Sequence, residues 1–495
     1  MKTIEHAVKM TNEYIEQMPK SLRKKYGQFF TSKETAIFMA YLFKLPEEKK
    51  EISILDPGAG SGILSIALID RLQEEATLEH ISLVCYENDM NVVDLLKSNL
   101  EWACKNSEIR ISYQIISDNY ILSQMPEYNN ALGSNPTPEK YDLIIGNPPY
   151  MKIPKNAPEA LAMPDICYGA PNLYFLFTTM SLFNLNKDGE MVFIIPRSWT
   201  SGAYFRKFRE KLLAEGALEH IHLFVSRDKV FEKESVLQET IIIKIKKTRE
   251  KPKDVIVTST RTNHDFSDIT EFNAPYCVVV SGEASYVYLV TGEEEVDTLN
   301  VLNKWKDTLP TLGLKMKTGL TVDFRNRELL REKAGEEIVP LFYAQHIKDG
   351  KVIFPIGKEY EYISTEKKGT LQKNTNYLFV KRFTAKEEHR RLQCGIYLAR
   401  ENNKYKQIST QNKLNFISGT NDLSEELVCG LYVLFNSTLY DRYYRILNGS
   451  TQVNSTEVNT MPVPPLSSIE IMGKEIIKRD NLSELTCDEI LRRYI

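Results

Sequence analysis

Tyr141-Asp142-Leu143-Ile144-Ile145-Gly146-Asn147-Pro148-Pro149-Tyr150 is the stretch that decides how this chain is read. Leu143 to Ile145 form a short apolar run ended by glycine, the pattern of a parallel strand buried on both faces. The two prolines that follow cannot donate to a sheet ladder, so the strand stops and a rigid loop begins. That loop carries one amide side chain, fixed backbone carbonyls and an aromatic ring. In open α/β sheets ligands bind at the carboxyl ends of strands. An amide oxygen and a backbone carbonyl suit the acceptance of hydrogen bonds from an exocyclic amino group, and Tyr150 offers a flat face for a ring. Taken alone, the tetrapeptide also fits a Pro-Pro turn with a chance asparagine.

Around this strand, strands and helices alternate as in a doubly wound sheet. Ile4 to Met18 read as an amphipathic helix. Strands are expected at Ile52 to Leu55, Ile81 to Tyr86 and Ile111 to Ile116, with helices near Ile63 to Leu72 and Val92 to Ala103. After the tetrapeptide come a helix (Leu173 to Phe183), an Asp188-Gly189 turn, a strand (Met191 to Ile195) and a helix (Tyr204 to Leu213). Ile221 to Val225 and Glu239 to Ile245 look like an antiparallel finish. The charged run Lys246 to Lys253 is the expected linker, and beyond it the alternation disappears.

The turn Asp56-Pro57-Gly58-Ala59-Gly60-Ser61-Gly62 joins the first strand to its helix, with glycines where backbone must approach a ligand closely. Its spacing departs from the dinucleotide fingerprint, and a carboxylate at its start would repel a pyrophosphate. Glu87 ends the second strand, where an acid can grip a ribose diol. Asp118, followed by Asn119, ends the third and can accept from an adenine amino group. Each is weak alone; in this order, at successive strand ends, they favour an adenosine-bearing ligand that is not a dinucleotide.

Composition narrows the class. A chain of 495 residues is long enough for two or three domains. The net charge of -3 gives no global basic field. Its seven cysteines are scattered without CxxC pairing, which argues against a disulfide framework or a zinc cluster, and no metal is expected. No signal peptide or long apolar run is evident, so a cytoplasmic protein without a membrane partner is expected.

Together these residues resemble the class I S-adenosylmethionine-dependent methyltransferases, and more narrowly the gamma-order DNA adenine-N6 group, the TaqI-like and Eco57I-like type II modification methylases. The resemblance runs from about Tyr26 to Lys247. Gly27-Gln28-Phe29-Phe30-Thr31 is similar to the group's upstream cofactor motif. Asp56 to Gly62, Glu87 and Asp118 match the next three motifs, and Asn147 to Tyr150 the catalytic one. Asn172 to Phe177 match the helix start beside the cofactor's adenine, and Phe193-Ile194-Ile195-Pro196 the following strand. Val230-Phe231-Glu232-Lys233 match a loop whose phenylalanine packs on the target base. Leu434 to Asn454 and Tyr377 to Phe383 are similar to target-recognition regions.

The resemblance implies a Rossmann-like doubly wound α/β sheet with an antiparallel final strand, plus a C-terminal α+β target-recognition domain. The expected boundaries are an N-terminal helix (1–25), a catalytic domain (26–250) and a recognition domain (251–495). Thr31, Asp56, Gly58, Gly60, Glu87, Asp118, Asn119 and Phe177 are then expected to hold S-adenosylmethionine. Asn147 and Pro148 would accept the two amino hydrogens of a flipped adenine, localising the nitrogen lone pair for direct attack on the methyl group. Tyr150 and Phe231 would stack on the base. Lys381, Arg382, Arg442, Thr451, Gln452 and Asn454 are candidates for contact with double-stranded DNA.

Plainer readings stand beside several of these. Thr31 also fits a helix N-cap before Ser32-Lys33-Glu34, Phe177 a core position, Phe231 ordinary packing, and the tyrosines around Arg442 a core stripe. Met151 to Pro171 is long for a loop and reads as a lid, a DNA-contacting segment or a plain surface loop. A single recognition region allows a monomer, and with no PD…ExK cluster evident, a separately encoded restriction endonuclease is expected. An N-methyltransferase acting on RNA or a protein glutamine shares the tetrapeptide's logic, and an inactive DNA-binding subunit shares the fold.

Overall fold

The computed structural model describes residues 3–17, 19, 30–44, 49–74, 77–130, 140–224, 240–282, 285–365, 367, 369–385, 388–448 and 451–495. Two compact units are present, Met1–Gly292 and Glu293–Ile495.

The first unit is built on a nine-stranded sheet. Its strands are β1 (Glu51–Asp56), β2 (His80–Tyr86), β3 (Arg110–Ile116), β4 (Tyr141–Gly146), β5 (Leu185–Pro196), β6 (Ala217–Phe224), β7 (Thr240–Lys246), β8 (Asp254–Thr260) and β9 (Thr270–Pro275), in the order 3-2-1-4-5-7-6-8-9. β4 lies between β1 and β5 and is parallel to both. Leu143, Ile144 and Ile145 are all buried, and each isoleucine side chain so buried stabilises the sheet by about 1.5–3 kcal/mol. Gly146 pairs in register with Phe193 of β5. A Cβ on Gly146 would stand 2.8 Å from Phe193 Cε1, so the glycine is what lets the Asn147–Tyr150 loop start against that ring.

The helix Ile63–Leu72 is apolar almost all round and packs on the sheet. The helix Thr3–Gln17 lies against it, with Ile4 and Ala7 in the common core. The Ile4 N–H, otherwise an orphan of the first turn, donates to Asp70 Oδ2 at 3.0 Å. The N-terminal helix is therefore part of the first unit and not a separate element.

The expected boundary at residue 250 is corrected. β7 runs antiparallel between β5 and β6, as the sequence suggests, but the sheet then continues. β8 adds parallel to β6, and β9 antiparallel to β8. Lys246 to Lys253 is the turn joining two strands of one sheet. Its charges have local work: Lys247 Nζ donates to the Phe183 and Leu185 carbonyls at 2.9 Å each, and Lys251 Nζ to the Gly216 carbonyl at 3.1 Å. Beside it, Lys244 sits buried between Glu190 (2.9 Å) and Glu219 (3.3 Å).

The second unit holds a six-stranded sheet in the order Leu314–Thr318, Leu414–Gly419, Tyr377–Lys381, Cys394–Tyr397, Lys351–Val352, Ile347–Lys348. The helices Glu425–Phe435 and Leu466–Arg479 cross at Gly430 and Gly473, where any Cβ would overlap the facing helix backbone. Tyr440, Tyr443 and Tyr444 are buried, the core stripe allowed for by their spacing. Among the described residues, no helix is long and apolar enough to cross a membrane.

Candidate active site

The carboxyl ends of β1 to β4 converge on a cavity of about 250 Å³. Its lining includes Gly58 and Gly60 from the turn after β1, Glu87 after β2, Asp118 and Asn119 after β3, and Asn147 after β4. Phe177, from the helix Leu173–Asn184, forms part of the wall, its ring 3.8 Å from where a Gly58 Cβ would lie. A larger cavity, about 520 Å³, lies in the second unit and has no strand-end acid pair of this kind.

Glu87 is the pivot of this cavity. Its Oε2 accepts the Gly60 N–H and its Oε1 the Asp89 N–H, both at 2.9 Å. One carboxylate thus ties the glycine turn to the loop after β2. Burial raises the Glu87 pKa, with those backbone N–H groups opposing the shift. Asn119 accepts the Leu122 N–H at the start of the helix Tyr120–Asn130 and donates to Glu159 Oε1 at 2.8 Å. Asp118 is exposed and free to face a ligand edge.

Asp56 does not line the cavity. It is fully buried beneath the turn, where Ser65 Oγ donates to its Oδ2 at 2.7 Å and no partner reaches Oδ1. Burial pushes its carboxyl up to about 7. Asp56, expected from the sequence among the cofactor residues, thus stands beneath the turn rather than among the residues that line the cavity.

Asn147 and Tyr150 are coupled. The Tyr150 hydroxyl lies 2.7 Å from Asn147 Oδ1 and 3.0 Å from the Ile194 carbonyl of β5. It has one proton for these two acceptors. Burial raises the Tyr150 pKa well above its ordinary value, so the hydroxyl remains a donor. On the other side Asn147 Nδ2 donates to Thr31 Oγ1 at 3.1 Å. Pro148 is buried beside them. Thr31 is not the N-cap of the helix Lys33–Tyr41. Ser32 is, its side chain accepting from the Thr35 N–H, which leaves the Thr31 hydroxyl for Asn147.

Several wall residues were not singled out individually, although Phe30 and Pro149 lie in motifs quoted from the sequence and Met151 opens the long segment that follows. Phe30, Tyr86, Tyr120, Pro149, Met151 and Glu159 line the same cavity. Tyr120 packs between Tyr86 (edge-to-face, 5.0 Å) and Phe177 (tilted, 5.5 Å), an aromatic run assembled from three separate elements. Glu159 lies in Met151 to Pro171, which is closed at its neck by a Lys152–Asn172 bridge and by the Ile153 N–H donating to the Pro171 carbonyl. Gly27 to Phe29 and Phe231 lie outside the described residues.

In the second unit the candidate DNA contacts divide. Arg382 and the Thr451–Gln452 segment meet: the Thr384 N–H donates to the Thr451 carbonyl, the Val453 N–H to that of Arg382, and Phe383 bridges Gln452. Lys381 Nζ donates to Gln393 Oε1 at 2.8 Å. Arg442 pairs with Glu294, at 3.5 Å. Asn454, another of the candidates, is a helix cap, accepting the Thr456 N–H at 2.9 Å. Among the described residues no group of three His, Cys, Asp or Glu side chains could hold a metal ion.

A family model described as Eco57I restriction-modification methylase matches residues 65–231. The chain is 34% identical over 486 residues to Type II methyltransferase M.BsuBI of Bacillus subtilis, covering 96% of this chain and 94% of that protein. It is 33% identical over 495 residues to Type II methyltransferase M.PstI of Providencia stuartii, covering 97% and 94%. Among solved structures, the Type IIL restriction-modification enzyme MmeI in complex with DNA aligns over 96% of this chain and 69% of its own, at TM-score 0.51 and 12% identity, a likeness of fold. With these full-length relatives, the chain belongs to the type II methyltransferase family and carries an Eco57I-like restriction-modification methylase domain.

Proposed function

We propose that this protein is a site-specific DNA adenine-N6 methyltransferase of a type II restriction-modification system. The observation that carries this reading is the placement of the Asn147 amide and the Pro148 carbonyl at the end of a buried strand, beside a cavity with strand-end acids. The methyl donor is S-adenosylmethionine, which supplies an electrophilic methyl group. Glu87 suits its ribose, Asp118 and Asn119 its adenine edge, Phe177 a ring face, and Gly58 and Gly60 its close approach to the backbone.

An exocyclic amine is a poor nucleophile while its lone pair is delocalised into the ring. Asn147 Oδ1 and the Pro148 carbonyl, accepting one hydrogen each, localise that pair on nitrogen. The target base must leave the duplex to reach them, at an unstacking cost of a few kcal/mol. Stacking on Tyr150 returns about 1–3 kcal/mol of this. Phe231 is proposed for the opposite face. The second unit is the target-recognition module, with Lys381, Arg382, Thr451 and Gln452 the foremost candidates for DNA contact. A cytoplasmic monomer, paired with a separately encoded endonuclease, completes the reading.

Long-read sequencing of DNA from cells expressing the chain tests this. N6-methyladenine at one recurring sequence is expected, and Asn147→Ala should abolish it while cofactor binding persists. Unmodified DNA in the presence of folded protein refutes the proposal; a protein-glutamine or RNA substrate would give that result.

A further inference from the structure

We propose that Glu159 is a cofactor-binding residue, its carboxylate accepting a hydrogen from the adenine amino group of S-adenosylmethionine. This rests on that cofactor and on its ribose lying at Glu87, and not on which base is methylated. Glu159 belongs to Met151 to Pro171, the segment that follows the Asn147–Tyr150 loop, and to no strand end.

The strand order decides which part of the ligand it meets. At this edge the sheet runs 3-2-1-4. The glycine turn after β1 borders one part of the cavity, and Glu87 after β2 takes the ribose. The base then extends toward the end of β3, where Asp118 and Asn119 line the wall. Glu159 lines the same cavity and joins them there, its Oε1 2.8 Å from Asn119 Nδ2.

The Asn119 amide holds Glu159 in a single way. Its Oδ1 accepts the Leu122 N–H at 3.2 Å, in the first turn of the helix Tyr120–Asn130, and its Nδ2 donates to Glu159. A backbone N–H can only donate and a carboxylate only accept, so the two partners fix the amide's orientation. Asn119 occupies one of the roughly four acceptor sites that a carboxylate carries. The charge of that carboxylate makes it a stronger acceptor for an amino hydrogen than a neutral amide oxygen. Asn119 thus also serves the adenine edge through Glu159.

The segment that carries Glu159 is fixed at both ends of that helix. Asn119 holds it at the start. In the last turn the Tyr128 hydroxyl donates to Asp165 Oδ2 at 2.7 Å, and Lys211 pairs with the same carboxylate at 3.0 Å. At the neck the Ile153 N–H donates to the Pro171 carbonyl and the Leu173 N–H to that of Met151, at 2.8 and 2.9 Å. Glu159 itself sits on the short helix Pro158–Ala162, with Ala160 and Ala162 buried. The stretch that the sequence left as a lid, a DNA-contacting segment or a plain loop is, on this reading, the carrier of a cofactor contact.

S-inosylhomocysteine differs from S-adenosylhomocysteine in bearing a carbonyl oxygen in place of the amino group, an acceptor where the other has a donor. Isothermal calorimetry of the full chain with each, without DNA, gives the ratio of their Kd values. The wild type is expected to favour S-adenosylhomocysteine by ~10- to 100-fold, the scale of a hydrogen bond to a charged group. Glu159→Gln keeps an oxygen for Asn119 and removes the charge. Its ratio is expected to shrink by about 10-fold, with S-adenosylhomocysteine bound more weakly and S-inosylhomocysteine no worse. A ratio unmoved to within about twofold overturns the proposal and leaves the adenine edge to Asp118. Equal weakening of both ligands also overturns it, because a residue that only steadies Asn119 cannot tell them apart. If Glu159→Gln fails to fold, Glu159→Ala is read by the same ratio. A wild type that binds neither ligand overturns the cofactor reading and this inference with it, whereas intact binding with an unmoved ratio overturns the inference alone.

Discussion

Replacing Asp56 by asparagine should make the protein more stable at alkaline pH, although the residue begins the glycine turn. Asp56 is fully buried, its Oδ2 accepts from Ser65, and its Oδ1 has no partner. In the folded chain its carboxyl is pushed up to about 7 by burial, against 3.8 for the free side chain. Well below pH 3.8 both states hold the proton and nothing is lost. As pH rises, the unfolded chain releases its proton first, so folding loses stability until the folded pKa is passed. At 1.36 kcal/mol per pH unit the whole gap amounts to ~4 kcal/mol, of which ~3 falls between pH 5 and pH 8. Asparagine escapes this loss and keeps an oxygen for Ser65. Its amide nitrogen, at the unpartnered position, costs about 1–3 kcal/mol at every pH. Asp56→Asn is therefore expected to be neutral or destabilising at pH 5 and stabilising by ~1–3 kcal/mol at pH 8, with the difference from wild type rising steadily between. Urea unfolding of both proteins at pH 5, 6, 7 and 8, without cofactor, measures that difference. A difference that changes by less than ~1 kcal/mol, or that falls with pH, refutes the assignment of Asp56 as a carboxyl destabilised by burial.

Glu87→Gln should weaken S-adenosylmethionine binding by ~10- to 100-fold in calorimetry, because a charge-assisted grip is lost, and should leave the rate at saturating cofactor within about threefold of wild type; an unchanged Kd would count against the diol role. Gly146→Ala puts a methyl group 2.8 Å from Phe193 Cε1 and should cost about 1–3 kcal/mol by overpacking, read as a lower urea midpoint; an unmoved midpoint would show that the Phe193 ring yields freely. Arg382→Ala should weaken DNA binding across sequences and lower the salt-dependence slope by about one if its guanidinium contacts a phosphate. A slope that does not change removes Arg382 from the interface.

Much of the first unit was legible because its signals are local. Leu143 to Ile145, the Gly58–Gly62 turn and the helix Ile63–Leu72 each announce themselves within a few residues, and all stand where the pattern puts them. The continuation of the sheet into β8 and β9 was not legible. Asp254 to Thr260 follows a dense charge run, and nothing in that run says that Lys247 and Lys251 spend their ammonium groups on carbonyls of the same unit. His220 and His222 are hidden for a related reason: their bonds go to Thr258 and Thr260, on a strand that the reading placed in another domain. At the site, Glu87 and Asp118 could be picked out by their order, and both line the cavity. The burial of Asp56 beneath the turn was not legible, because a motif fixes where a residue sits along the chain and not which way it points. Tyr86, Tyr120 and Glu159 were missed because their shared wall exists only after three elements meet. Thr31 was singled out, but its bond to Asn147 spans 116 residues and leaves no local trace.

The root of the Asn147–Tyr150 loop and its tip are gauged by successive residues of one neighbour: Gly146 rests on the Phe193 ring, and the Tyr150 hydroxyl reaches the Ile194 carbonyl. β4, its loop and β5 thus behave as a single cartridge. Chimaeras between relatives should retain activity when β4 and β5 come from the same parent, and mutational libraries confined to the loop will explore it against a fixed anvil. The second unit, whose contribution to specificity is proposed above, can in contrast be exchanged at residues 292–293, well outside that cartridge.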